Sequence, residues 1–313
     1  MDHPISAPSR PYLGHLAALM TVTVWGATFI STKVLLRSFT PVEILFDRFL
    51  LGFFLLLLMH PRPLRGAGLR RELAFAAAGL CGVCLYYLLE NIALEYTMTA
   101  NVSIIVSSAP LFTALISRLI FREGQRLRGS FLLGFLLAMG GIGIMAVQDS
   151  PMAVSPAGDL LALLAAVVWA IYSSLTKRIS AYGYPTILTT RRVFFYGILF
   201  MLPVLAVSHP AWEPERFLAA ENIGNLLFLG LGASALCFVS WNWAVGRLGP
   251  VKASAYIYLS PVVTLAASAL LRLAERRMDG ESSYELVQAD ALTMTAGTYR
   301  RRTRPQDEGG ALT

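Results

Sequence analysis

Charged side chains are scarce: only 14% of the 313 residues are Asp, Glu, Lys or Arg, against 56% hydrophobic. A water-soluble domain carries about a quarter of its residues as charges, so this chain lacks the means to cover a globule in water and its solvent is mostly lipid. Histidine is scarcer still. The four, His3, His15, His60 and His209, lie at or beyond the edges of apolar segments, so neither a His-based metal cluster nor a Ser/His pair is expected. The three cysteines, Cys81, Cys84 and Cys237, all sit inside apolar segments. Despite the spacing of the first two, they read as small packing residues and not as a disulfide or a metal site. No Gly-Lys phosphate loop is present, which leaves a gradient and not ATP as the energy source, and no cofactor is implied. Before residue 272 there is no polar stretch that could form a soluble domain.

What fills the chain instead is apolar runs long enough to cross about 30 Å of hydrocarbon. They lie near 12–33, 42–59, 73–94, 99–120, 129–147, 159–176, 187–207, 223–245 and 251–271, which predicts nine helices in one membrane domain. The first run ends in Lys33 with no small-residue cleavage site, so it is expected to be a retained helix and not a signal peptide. Arg62, Arg65, Arg70, Arg71, Arg122, Arg126, Arg128, Lys177, Arg178, Arg247 and Lys252 fall in the connections on one side; only Arg37 and Arg216 fall on the other. That asymmetry predicts a cytoplasmic N-terminus (residues 1–11) in the cell inner (plasma) membrane. The net charge of +7 is thus a matter of topology, and without a solvated basic face no nucleic-acid partner is expected.

The apolar runs are duplicated. Trp25-Gly-Ala-Thr-Phe-Ile-Ser-Thr-Lys33 is answered 144 residues later by Trp169-Ala-Ile-Tyr-Ser-Ser-Leu-Thr-Lys177, and at the same offset Pro41 falls on Pro185 and Arg48 on Arg192. At an offset of 151, Asn91 matches Asn242, Ala93 matches Ala244, Ser103 matches Ser254, Pro110 matches Pro261, Thr113 matches Thr264 and Ser117 matches Ser268. A unit of five helices is odd in number, so its second copy enters the membrane from the opposite side, giving an inverted 5+5 repeat in an all-α polytopic membrane protein. The expected copies are residues 12–148 (helices 1–5) and 159–272 (helices 6–9). Two halves of opposite orientation can exchange conformations, which is the basis of alternating access.

The Trp25-Gly-Ala-Thr-Phe opening, the Asn91-Ile-Ala-Leu-Glu-Tyr-Thr-Met-Thr-Ala-Asn101 hinge before Pro110, Arg122-Glu123 after helix 4, and Asn242 with Pro261 in the second copy resemble the EamA-type, ten-helix branch of the drug/metabolite transporter superfamily. The likeness covers roughly residues 12–275. It implies a 5+5 bundle with a central cavity lined by helices 1, 3, 4, 6, 8 and 9, and export of a small-molecule substrate such as an amino acid, another metabolite or a toxic compound. An integral membrane enzyme or lipid-handling protein of the same topology is the alternative; the duplication argues against it, since an enzyme has no particular use for an inverted repeat.

Site candidates follow from cost, because an ionisable group in hydrocarbon costs about 2.5–3.5 kcal/mol and should face a cavity or a partner. Arg48 and Arg192 either bind an anionic group or lock their helices to neighbouring carbonyls or acids. Glu90, with Tyr86 and Tyr87 one turn back, either exchanges a proton or pairs with a substrate amine, or else forms a static bridge to Arg48 or snorkels to the interface. Asn101, Ser107 and Pro110 in helix 4, and Tyr256, Tyr258 and Pro261 in helix 9, surround two expected helix breaks whose freed carbonyls need partners. Trp25 with Thr28, Trp169 with Tyr172, and Trp241 with Asn242 complete the set; tryptophans commonly anchor a helix at the interface, but Trp25 and Trp169 fall well inside their runs, where stacking or gating in the cavity is the other reading.

The tail departs from the pattern. The repeat predicts a tenth helix over 278–299, but that window holds Asp279, Glu281, Glu285 and Asp290, an insertion penalty of about 10 kcal/mol. Residues 273–313 are therefore expected to be a polar tail, with the tenth helix missing or replaced. Either this is a nine-helix variant, or the reading frame departs near residue 272; the loss of register after Leu273-Ala-Glu275 favours the second. Helix 5 would then lack a partner, and its Gly134, Gly140, Gly141 and Gly143 offer a close-packing face for a homodimer.

Overall fold

A computed structural model describes residues 11–96, 99–119, 129–149, 155–208, 210, 213–264 and 266–267. Among these, all regular structure is helical, as it must be where backbone groups find no water to bond. The N-terminal residues 1–10, Arg122-Glu123 and the tail from residue 268, with the expected tenth helix, lie outside the described residues.

Each of the nine apolar runs falls on helix. We number them α1 (Pro11–Leu35), α2 (Pro41–Met59), α3 (residues 69–96), α4 (residues 99–119), α5 (Gly129–Asp149), α6 (Pro156–Ser180), α7 (Thr186–Val207), α8 (residues 220–248) and α9 (residues 250–264). Five segments among the described residues, Tyr12–Thr32, Leu69–Glu90, Pro156–Ser180, Thr186–Val207 and Ala220–Leu248, are long and apolar enough to cross a membrane by length and composition alone. Short connections make successive helices alternate in direction. The N-terminal ends of α3 and α7 therefore share one face of the bundle, and those of α2 and α8 share the other.

Local chemistry sets where α2 starts. Thr40 and Glu43 form a reciprocal capping box: Glu43 N–H donates to Thr40 Oγ1 at 3.3 Å and Thr40 N–H to Glu43 Oε2 at 2.7 Å, with Pro41 at the first helical position.

Both long helices that carry the matched asparagines loosen midway into π geometry. In α3 this is Leu80–Leu85, where Tyr86 N–H reaches Cys81 O; in α8 it is Phe228–Leu236, where Cys237 N–H reaches Gly232 O. The widened turns run through small residues that admit close neighbours. A methyl group on Gly79 would lie 2.5 Å from Val193 O and 2.7 Å from Gly197 N on α7, and one on Gly230 would lie 2.7 Å from Leu51 Cβ on α2. In lipid, where burial gives helices no hydrophobic drive to associate, such backbone proximity is what holds them together.

The prolines break their helices as expected. Pro110 cannot donate to Val106, so α4 divides into Thr99–Val106 and Ala109–Leu119 around a turn in which Ser108 N–H bonds Ile105 O at 3.0 Å. Before Pro261 the chain tightens into the 3-10 stretch Ala255–Leu259, and Ser260 N–H takes Ile257 O, the carbonyl that Pro261 leaves free. α5 stands apart, with Leu132, Leu133, Leu136, Leu137 and Ile144 exposed.

Candidate functional site

The tryptophans of α1, α6 and α8 meet at the centre of the bundle. Ring centroids of Trp25 and Trp169 are 5.5 Å apart, those of Trp25 and Trp241 5.2 Å, and those of Trp169 and Trp241 6.0 Å. These tilted and edge-on contacts suit the aromatic quadrupole. Tyr86 lies 5.0 Å from Trp169, Tyr172 5.2 Å from it, and Phe238 5.6 Å from Trp25. Gly82 makes room on α3: a methyl group there would lie 2.3 Å from Tyr172 Cδ2.

The indoles differ in hydrogen bonding. Trp25 Nε1–H donates to Ala233 O in the π turn of α8 at 3.0 Å. Trp169 and Trp241 are 5% and 0% exposed, yet among the described residues neither Nε1–H has a partner, nor does the Oγ of fully buried Ser173, one turn from Trp169. A buried donor left unmatched costs about 1–3 kcal/mol, and here two such donors fall in one cluster.

The ionisable groups border this cluster. Buried Arg48 donates from Nε to Ser234 Oγ at 2.9 Å and lies over Tyr87, 5.5 Å from its centroid; among the described residues no carboxylate approaches within 4.0 Å. Glu90 accepts from Tyr86 OH at 3.1 Å, and the Arg48 charge acts on it without a direct ion pair. A static Arg48–Glu90 bridge, one of the two sequence readings, is therefore not what the structure holds. Tyr87 and Tyr86 rings, 4.9 Å apart, connect Arg48 to the tryptophans.

Other candidates lie elsewhere or have local duties. Arg192, the repeat mate of Arg48, is in a two-pronged pair with Glu72, with Nε–Oε2 and Nη2–Oε1 both 2.9 Å, at the bundle face where α3 and α7 begin. The two arginines thus share a register but not an environment. Asn242 is held from two helices: Tyr172 OH donates to its Oδ1 at 2.7 Å and its Nδ2–H donates to Thr190 Oγ1 at 3.0 Å. Thr28 bonds back to Trp25 O at 2.6 Å, Tyr256 meets His15 Nδ1 at 2.8 Å, and Ser107 is buried in the α4 turn. The Tyr258 hydroxyl is buried without a partner. Asn91 and Asn101 lie on α3 and α4, their side chains outside the described residues.

Tyr172→Phe removes the donor that, among the described residues, serves buried Asn242 Oδ1. It is expected to lower the unfolding temperature in detergent by several degrees, from a penalty of about 1–3 kcal/mol, as read by fluorescence-detected unfolding; an unchanged midpoint would show that the bond contributes nothing.

Sequence reasoning missed Phe238, Phe49, Ser234 and Thr190. Phe238 precedes Trp241 by three residues and so shares its face, a signal that was there to be read; Ser234 and Thr190 look like any small polar residue in a span. Among the described residues no three His, Cys, Asp or Glu side chains gather as a metal site.

The sequence profile of the EamA-like transporter family matches residues 12–147 and again residues 156–276. The chain belongs to the EamA-like transporter family. This EamA-like protein is 28% identical over 256 residues to an uncharacterized transporter of Archaeoglobus fulgidus, covering 80% of this chain and 86% of the relative. It is 27% identical over 270 residues to a protein of Escherichia coli named "probable amino-acid metabolite efflux pump", covering 81% and 85%. A "probable terminal-alkyne amino-acid exporter" of Streptantibioticus cattleyicolor is 26% identical over 257 residues, covering 80% and 83%. One solved crystal structure superposes with a TM-score of 0.64 at 19% identity, covering 91% of this chain and 94% of that one, which speaks for the fold alone. Family and relatives are those of multi-pass membrane transporters, and their names describe transport and not enzymes.

Proposed function

We propose that this EamA-like protein exports small metabolites, amino acids or related compounds, by alternating access between two inverted halves, with its N-terminus in the cytoplasm. The observation that carries the substrate side is the surplus of donors at the centre. Among the described residues the Trp169 and Trp241 N–H groups lack acceptors and Arg48 lacks an acid, so a carboxylate-bearing solute supplies what they need. Glu90 beside the aromatic rings suits the ammonium end of such a solute. The names of the Escherichia coli and Streptantibioticus cattleyicolor relatives support the same class.

Support for inversion comes from matched departures from regular helix. The π turns of α3 and α8 overlap in the repeat register and end 151 residues apart, the spacing of Gly79 and Gly230. The α8 turn receives Trp25 of α1 and Arg48 of α2, while the α3 turn receives Tyr172 of α6 and the backbone of α7. These are corresponding partners if the two halves are copies. Pro110 and Pro261 each follow a break in α geometry.

Counterflow of labelled amino acids in proteoliposomes tests the proposal. At least one solute should exchange, and Arg48→Ala should lower its exchange by tenfold or more while folded yield is retained. No flux for any carboxylate-bearing solute would overturn the reading; flux indifferent to Arg48→Ala would remove Arg48 from the site.

A further inference from the structure

Two ion-pair clusters close opposite faces of the bundle. On one, Glu72 in the first turn of α3 holds Arg192 in the second turn of α7 through both carboxylate oxygens at 2.9 Å, and Tyr196 OH donates to Glu72 Oε2 at 2.8 Å. Arg191 beside it donates to His60 O and, at 2.7 Å, to Arg62 O, pinning the end of α2 and its loop to the same turn.

On the other face, Arg216 lies in the 3-10 turn Pro214–Phe217 that leads into α8. It donates to Ser38 O at 2.6 Å and to Glu43 Oε1 at 3.2 Å, has Glu213 Oε2 at 3.7 Å, and lies over the Phe39 ring, 4.9 Å from its centroid. Phe217 packs edge-on against Phe39 at 5.0 Å, and Asn222 Nδ2–H steadies Arg216 O at 2.9 Å. Side-chain exposure is 35% and 21% for Arg192 and Glu72, and 15% and 8% for Arg216 and Glu43. The Glu43–Arg216 pair is thus well shielded, while the two-pronged Glu72–Arg192 pair is partly exposed.

The two clusters occupy corresponding places with the charges exchanged. One joins the start of α3 to the start of α7, the other the approach to α8 to the start of α2, so the helices correspond while the residues do not: the repeat register sets Glu72 on Ile223 and Arg192 on Arg48. The central tryptophans lie between them, and both clusters are closed at once. We propose that Glu72–Arg192 and Glu43–Arg216 are paired latches, each releasing its own face of the bundle in turn while the other stays shut. The proposal rests on the alternating-access reading above: a bundle in which both latches released together would leak, and one in which neither released would not transport.

Native cysteines serve as reporters. Cys84 and Cys237, both buried, sit within or directly after the π turns, and a Cys81→Ser background leaves these two. A charged, membrane-impermeant thiol reagent is added to one side of vesicles of known orientation. Arg216→Gln is expected to raise labelling about tenfold (~1.4 kcal/mol) from the face bearing Glu43 and not from the other. Arg192→Gln does the same from the face bearing Glu72. Exchanging the partners, Glu72→Arg with Arg192→Glu, returns labelling to within about twofold of the parent. Labelling that rises from both faces, from the wrong face, or from neither overturns the latches, and so does an exchanged pair that fails to restore a folded, slowly labelled protein. Since labelling requires no substrate, absence of flux would sink the transport reading while leaving this one standing or falling on its own result.

Discussion

Gly79→Leu is expected to abolish recovery of monodisperse protein from membranes, while Gly134→Leu leaves it at the parental level. Any Cβ at position 79 lies 2.5 Å from Val193 O and 2.7 Å from Gly197 N. These are backbone atoms of a helix and cannot rotate away, so α3 and α7 must part. Overpacking costs about 1–3 kcal/mol where side chains can yield, and here they cannot. Among the described residues nothing lies within 4 Å of a Cβ at Gly134. Fluorescence-detected size exclusion in mild detergent reads both variants. A Gly79→Leu protein that elutes like the parent would mean that α3 and α7 do not approach as described.

Truncating the central indole is the second large effect. Trp241→Ala should lose both transport and folded yield, because a fully buried Trp removed to Ala costs about 3–5 kcal/mol and Trp25 and Trp169 lose a ring at 5.2 and 6.0 Å. Trp241→Phe separates the two consequences. It keeps an aromatic ring between its neighbours but deletes an N–H that satisfies no protein acceptor, so stability should change little while counterflow falls by tenfold or more. Rates normalised to monodisperse protein make the comparison. If Trp241→Phe transports like the parent, the free indole donor has no part in substrate binding.

Much of the membrane architecture was legible, and the reasons are specific. The cost of a charge in hydrocarbon confines polar residues to connections, so nine apolar runs could be delimited by eye, and each coincides with helix over the residues described. Pro110 and Pro261 announced their breaks because each leaves a carbonyl one turn back without its N–H, whereas Pro203 lies inside α7 without ending it. Trp25 and Trp169 were singled out as repeat mates lying inside their runs, and they do meet. The π turns were not foreseen: Leu80–Leu85 and Phe228–Leu236 are as apolar as any other stretch of span, and an extra residue per turn leaves no mark on composition. Nor could the repeat say that Arg48 and Arg192 part company. Register makes them equivalent, but Glu72 lies within reach of Arg192 alone, and that proximity arises between helices far apart in sequence.

Composition and the order of residues by themselves determined the solvent, the helical class and the positions of the spans, since each follows from local free energies of transfer and of hydrogen bonding that no neighbour can change. Which side chains lie unsatisfied at the centre, which arginine has an acid to hold, and which glycines must stay glycines were decided only by the tertiary structure. Those properties depend on distances between helices, and in a bilayer such distances are set by the close fit of small residues and not by any apolar pattern along the chain.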